Sequence, residues 1–228
     1  MKAVCLLTGG AGFLGGELCK LLSADYHLIS VYHQKIPVSG SKLFTSVANP
    51  DDEEILFIQA DLTKKDDVRR VVEVALARFG KIDHIIHCAA DIKFHGKIRE
   101  IFFNGDYFQS QFTINTLSPM LLTSLVYEEC WKDVPDVNKE KNRSVVNISS
   151  MSGLVSTPAP QSQVVYAASK AAYNILSAHL SAELVPYHVR VNCVCPASLK
   201  DPVYLKKVLN TIRSLLTNNE SDKIISSF

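Results

Sequence analysis

The sequence has no Cys-x-x-Cys pair, no apolar run approaching the roughly 18 to 20 residues of a membrane-crossing helix, and no stripe of Lys and Arg interleaved with aromatics. The first absence argues against a metal or redox motif. It leaves Cys5, Cys19, Cys88, Cys130, Cys193 and Cys195 to be read as reduced, mostly buried residues of a reducing compartment, with no metal site expected. The second argues against a membrane protein. The third, with a formal net charge of only +1, excludes a phosphate-tracking surface for nucleic acid. The apolar start runs straight into Thr8, Gly9 and Gly10, with no basic flank and no small-residue cleavage site, so a cytoplasmic location is expected.

What is present is an ordinary globular balance. Of 228 residues, 47% are hydrophobic and 21% charged, which fits one domain over 1–228. Short apolar runs at 3–7, 27–32, 55–59, 84–88, 144–148 and 189–194 alternate with helical patterns at 12–23, 65–79, 112–130, 166–184 and 202–216. That alternation predicts an α/β fold built from βαβ units, a doubly wound parallel sheet with helices on both faces. Residues 36–54, with Pro37, Gly40 and Pro50, read as a loop, and the highly charged 131–143 as a surface crossing between helix and strand. Residues 197–228 read as a short variable C-terminal segment with no recognisable further strand.

Residues 8–15 spell Thr-Gly-Gly-Ala-Gly-Phe-Leu-Gly between the first strand and the first helix. On a βα turn, glycines let the backbone approach a pyrophosphate, and the helix N-terminus offers unpaired N–H groups and a positive dipole end. Gly9, Gly12 and Gly15 therefore mark a dinucleotide site. An acid about 20 residues further on would select NAD, but the second strand ends in Val31, Tyr32, His33, Gln34 and Lys35. His33 and Lys35 can balance a 2′-phosphate, which favours NADP over NAD. Asp61 can accept a hydrogen bond from adenine, cap the next helix, or do both.

Tyr166 and Lys170, in Tyr-Ala-Ala-Ser-Lys, fall four apart and so share a helix face. A phenol with an ordinary pKa near 10 needs a nearby cation to exchange protons at neutral pH, and Lys170 can supply one. The strand over 144–148 runs into Ser149, Ser150, Met151, Ser152 and Gly153 just before Tyr166. Ligands of open α/β sheets sit beyond the C-terminal strand ends, so these serines and the glycine loop share one rim.

Together with Asp61-Leu62-Thr63, His87-Cys88-Ala89-Ala90, Asn115 and Asn147-Ile148-Ser149-Ser150, these motifs resemble the short-chain dehydrogenase/reductase family, in the family's order over residues 1 to about 198. The resemblance implies a Rossmann fold of the single-domain reductase type. It implies that Tyr166 is the general acid and base, that Lys170 lowers the tyrosine pKa and holds the nicotinamide ribose, and that Ser150 binds the substrate carbonyl oxygen. Asn115 corresponds to an asparagine that positions a relay water. The implied cofactor contacts are Gly9, Gly12, Phe13, Leu14, Gly15, His33, Asp61, Leu62, Ala89, Ala90, Tyr166, Lys170 and Pro196. The implied substrate is a ketone or a 3-oxoacyl thioester. The implied assembly is a homodimer through the helices of Asn115 and Tyr166, with Leu121, Leu122, Leu125, Ile175, Leu176 and Leu180 as candidates for its interface. The glycine spacing and His-Cys-Ala-Ala are also similar to sugar-nucleotide epimerases and dehydratases. A non-catalytic dinucleotide sensor is the third alternative.

Overall fold

A computed structural model of the chain describes residues 2–35, 55–92, 98–155 and 163–226. The loop expected over 36–54 lies outside them. The strands are β1 (Ala3–Thr8), β2 (Tyr26–Tyr32), β3 (Leu56–Gln59), β4 (His84–His87), β5 (Ser144–Ile148), β6 (Arg190–Cys195) and β7 (Lys223–Ser226). All pair in parallel, in the order β3-β2-β1-β4-β5-β6-β7. The order reverses between β1 and β4, and that reversal opens a crevice at the C-terminal strand ends.

The helices are α1 (Phe13–Leu22), α2 (Lys65–Phe79), α3 (Ile98–Ile101), α4 (Gly105–Phe112), α5 (Ser118–Val126), α6 (Pro135–Glu140), α7 (Val164–Leu184) and α8 (Pro202–Thr217). They cover both faces of the sheet because the strands are apolar on both. Along β1, Val4 and Leu6 enter one core with Val71 and Val72 of α2, Val126 of α5 and Leu184 of α7. Cys5 and Leu7 enter the other, against Leu14, Leu18 and Leu22 of α1 and Val208 and Ile212 of α8. Period-two alternation thus feeds two cores rather than separating core from solvent.

Three expectations are corrected. The sheet does have a last strand: β7 pairs with Asn192 to Cys195 of β6. It is set there by Asp222, whose φ of 57° turns the chain, by the Asp222 N–H on Val191 O at 2.8 Å, and by Lys223 N–H on Asn192 Oδ1 at 3.1 Å. Second, the helical run over 112–130 starts earlier, at Gly105, and is interrupted by π-turns at Thr113–Leu117 and Tyr127–Trp131. Third, 131–143 is not merely a surface crossing. Trp131, Asn138 and Arg143 are buried in it. Asn138 donates to the carbonyls of Trp131 and Tyr187 at 2.8 Å each, and Arg143 donates to Asn138 Oδ1 at 2.6 Å and Cys130 O at 2.9 Å. These polar side chains satisfy carbonyls that a loop would otherwise leave unpaired in the interior.

Candidate active site

The glycine loop is held between two strand ends. Gly9 and Gly10 donate to Val31 O of β2 at 2.8 and 3.1 Å, while Thr8 Oγ1 accepts from Cys88 and Ala89, both at 3.1 Å. Gly9 has φ of +76°, and a Cβ there would lie 2.7 Å from Ala89 Cα, so both backbone conformation and packing require glycine. A Cβ on Gly15 would meet Gly9 O at 2.2 Å, which explains the third glycine as a close helix-to-turn contact. Gly12 precedes α1 and no side chain caps the helix there. Its N–H groups and positive dipole end are therefore available to an anion, and the cradle fits a pyrophosphate. Phe13 is exposed at this mouth and Leu14 is turned into the core.

Just after β3, Asp61 is used twice. Its Oδ1 accepts from Thr63 N–H at 3.1 Å and Thr63 Oγ1 at 2.7 Å, forming the turn before α2. Its Oδ2 lies 4.0 Å from His33 Nε2 and 3.7 Å from Lys64 Nζ. Despite some burial the Asp61 carboxyl is held below its usual range by the Thr63 bonds and by the nearby His33 and Lys64. Lys64 escaped the sequence reading, which looked for charge only at the strand end. Leu62 is fixed through its carbonyl by Ser118 Oγ at 2.6 Å, a second residue with no motif to flag it.

Ser150, Tyr166 and Lys170 meet at the same rim. Ser150 is nearly buried and accepts from Ser152 N–H at 3.1 Å, which starts the one-turn 3₁₀ segment Met151–Gly153. Its hydroxyl also bonds the Tyr166 phenol. Burial raises the phenol pKa and the Ser150 bond opposes that rise. Lys170 is 1% exposed; its Nζ donates to Ile148 O at 2.9 Å and lies 6.0 Å from the centre of the Tyr166 ring. Desolvation pulls the Lys170 ammonium down to about 8, against the neighbouring thiols of Cys193, Cys88 and Cys195. A proton on Lys170 is therefore exchangeable near neutral pH. Pro196, buried after β6, takes the Met151 N–H on its carbonyl at 3.0 Å and so joins the Ser150 turn to the sixth strand.

Asn115 sits inside the first π-turn, 1% exposed. Its Oδ1 accepts from Asp91 N–H at 2.8 Å, and its Nδ2 donates to Asp91 O at 3.0 Å and Ser169 Oγ at 3.1 Å. The side chain thus clamps the chain just after Ala90 onto α7, and Ala89 stays against the glycine loop. Of the six apolar residues considered for an interface, Leu122 is in the core and Leu125 and Leu180 pack against it, whereas Ile175 is 62% exposed.

The family model for short chain dehydrogenases matches residues 3–210. An uncharacterised oxidoreductase of Thermotoga maritima is 29% identical over 205 residues, which are 90% of this chain and 75% of that protein. An ipsdienol dehydrogenase of Ips pini is 28% identical over 215 residues, 90% of this chain and 78% of that protein. Among solved structures, a 3-ketoacyl-(acyl-carrier-protein) reductase of Brucella melitensis complexed with NADH superposes with a TM-score of 0.79 at 18% identity, covering 98% of this chain and 96% of that one. The solved structure shares the fold, and the family match runs from β1 into the first half of α8. The chain belongs to the short chain dehydrogenase family and is an oxidoreductase of it.

Proposed function

We propose that the protein reduces a ketone, or a 3-oxoacyl thioester, with NADP(H). The observation that carries the reading is the convergence of Ser150, Tyr166 and Lys170 beside the glycine cradle. A bound nicotinamide supplies hydride. The turn of Gly9 and Gly12, onto which Gly15 packs, keeps side chains clear of its pyrophosphate, and the N–H groups opening α1 bind it. Tyr166 gives its proton to the substrate oxygen, which Ser150 orients. Lys170, titrating near 8, returns a proton to Tyr166 and engages the ribose. Asn115 acts through its π-turn, a distortion frequent at functional sites, by placing a relay water on the Lys170 side. His33 and Lys64 beside Asp61, with Lys35 two residues after His33, favour a 2′-phosphate even with the Asp67 carboxylate on the Asp61 N–H at 2.7 Å, although relatives in the fold include one solved with NADH and one with NAD+.

A ketoacyl reductase of a granaticin polyketide synthase, 27% identical over 199 residues, supports the 3-oxoacyl class. The six free cysteines agree with a cytoplasmic setting. Exposed Ile175 on α7 and Leu117 on the π-turn support a homodimer through this face, which sedimentation tests: a monomer at micromolar concentration refutes it.

Purified chain mixed with NADPH and a panel of ketones and 3-oxoacyl thioesters is expected to consume NADPH. Tyr166→Phe should cut turnover by about 10²-fold or more while NADPH still binds. NADPH binding without turnover across the panel overturns the reductase reading.

A further inference from the structure

Asn174 lies one turn beyond Lys170 on α7, on the face that already carries Tyr166 and Lys170, and is 3% exposed. An amide so placed is costly to desolvate unless its groups are paired. Here they are. Nδ2 donates to Gly153 O at 3.1 Å, and Oδ1 accepts from the thiols of Cys193 and Cys195, each at 3.5 Å, whose sulfurs are 4.0 Å apart.

Those three partners belong to the segments that build the site. Gly153 ends the turn that begins with Ser150. Cys195 ends β6, next to Pro196, and its neighbour Val194 receives the Ser149 N–H at 2.8 Å. At Gly153 the turn approaches α7 so closely that a Cβ would lie 2.6 Å from the carbonyl carbon of Lys170. Ser149 Oγ on Lys170 O at 3.2 Å and Ser152 Oγ on Gln163 Oε1 at 2.8 Å also tie this segment to α7, but only the Asn174 amide bonds the turn and the end of β6 at once.

We propose that Asn174 is a positioning residue, which seats the Ser150 turn and the end of β6 against α7 so that the Ser150 hydroxyl meets the Tyr166 phenol. The inference rests on the reading of Ser150, Tyr166 and Lys170 as the catalytic groups. The two thiols are donors in this arrangement, and their sulfurs line the buried surroundings of Lys170. Among the described residues the Tyr166 phenol is faced by Ser150 from the turn, Cys195 from β6 and Lys170 from its own helix.

The test compares the full chain with Asn174→Leu, which keeps the heavy-atom count and branching and removes every bond, and with Gly153→Ala, which displaces the same turn through its backbone contact. Each is made with and without Tyr166→Phe, so that the difference in ultraviolet phenolate absorbance after rapid pH jumps reports Tyr166 alone. Both variants are expected to bind NADPH within about threefold of the unchanged chain and to lose about 10- to 100-fold in kcat. Their Tyr166 titration should move upward by about one unit, because the opposing Ser150 bond is lost. Unchanged kcat and an unmoved phenol titration in a folded Asn174→Leu overturn the proposal. So does a parallel fall of kcat, NADPH affinity and thermal midpoint, which marks a purely structural residue. If Asn174→Leu does not fold, Gly153→Ala decides by the same criteria. If the unchanged chain reduces no ketone, the reductase reading fails by itself, and the Tyr166 titration still decides the role of Asn174.

Discussion

Acid should destabilise this protein above the range in which carboxylates titrate, because two histidines are held neutral inside the sheet. His84 bonds Ser144 Oγ through Nδ1 at 2.9 Å, and His87 bonds Thr123 Oγ1 through Nε2 at 2.8 Å. Burial lowers His84 to about 4 and His87 to about 3, from 6.5 in the absence of the fold. Each folded pKa lies below the unfolded value, so the unfolded chain binds the extra protons. Stability is therefore complete above pH 6.5 and is lost as pH falls toward 4 and 3. At pH 5 each histidine costs about 2 kcal/mol, from roughly 1.5 units at about 1.4 kcal/mol per unit, and the pair about 4 kcal/mol. That is a large share of the ~5 to 15 kcal/mol that holds a typical domain together. Asp61, Asp67 and Asp83, whose carboxyls are all held low, lose stabilisation only at more acid pH. Urea unfolding followed by the fluorescence of buried Trp131, the only tryptophan, measures the effect between pH 7.5 and 5. His84→Gln/His87→Gln starts lower at pH 7.5, because each substitution disturbs a buried hydrogen bond, but its pH slope should be about 4 kcal/mol shallower. Parallel pH profiles for the two proteins would refute the reasoning.

Two further substitutions probe the rest of the frame. Arg143→Met leaves Asp83, buried with Oδ1 3.5 Å from Arg143 Nε, without its deeper partner, and urea unfolding should register a loss of about 3 to 5 kcal/mol. The double variant Asp83→Leu/Arg143→Met should recover part of that loss, and no recovery would count against a desolvation cause. His33→Asp places a second carboxylate beside Asp61, and the ratio of kcat/KM for NADPH over NADH should fall by about tenfold or more, the value of one charged hydrogen bond. An unchanged ratio would remove His33 from cofactor selection.

The fold was legible wherever local chemistry repeats with a fixed period. Helix α2 is found over the span expected from its pattern, because Asp66 and Asp67 favour its first turn and Gly80, with φ of 68°, ends it in a left-handed conformation. Strand β5 likewise coincides with its expected range, since each of its residues is buried. The π-turns were not legible. One inserted residue per turn shifts the phase of the apolar stripe too little to be distinguished from an imperfect α-helix, and Asn115 sits in such a turn. Strand β7 was missed for another reason. Four residues allow no measurable alternation, and what holds β7 in register is the pairing of its entry turn with Val191 and Asn192, 31 residues away in the case of Lys223.

The site shows the same division between local spacing and distant bonding. Tyr166 and Lys170 were legible because their spacing of four is a local statement about one helix face. Asn174, at the next step of four, offered the same spacing, and nothing in the pattern distinguished it from a polar residue turned to solvent. What makes it distinctive is its bond to Gly153, 21 residues away; the bonds of Lys170 to Ile148 and of Asn115 to Asp91 span 22 and 24 residues. Windows of about 11 to 18 residues, long enough to resolve a helix period, are too short to contain such pairs. Each of these bonds runs from a side chain to the backbone, so the partner's residue type carries no trace of it. Gly153 is the exception, because the backbone contact there excludes a Cβ. A glycine three residues after Ser150, with no turn conformation to require it, was thus the one sign in the sequence that the serine segment is pressed against the helix of Tyr166.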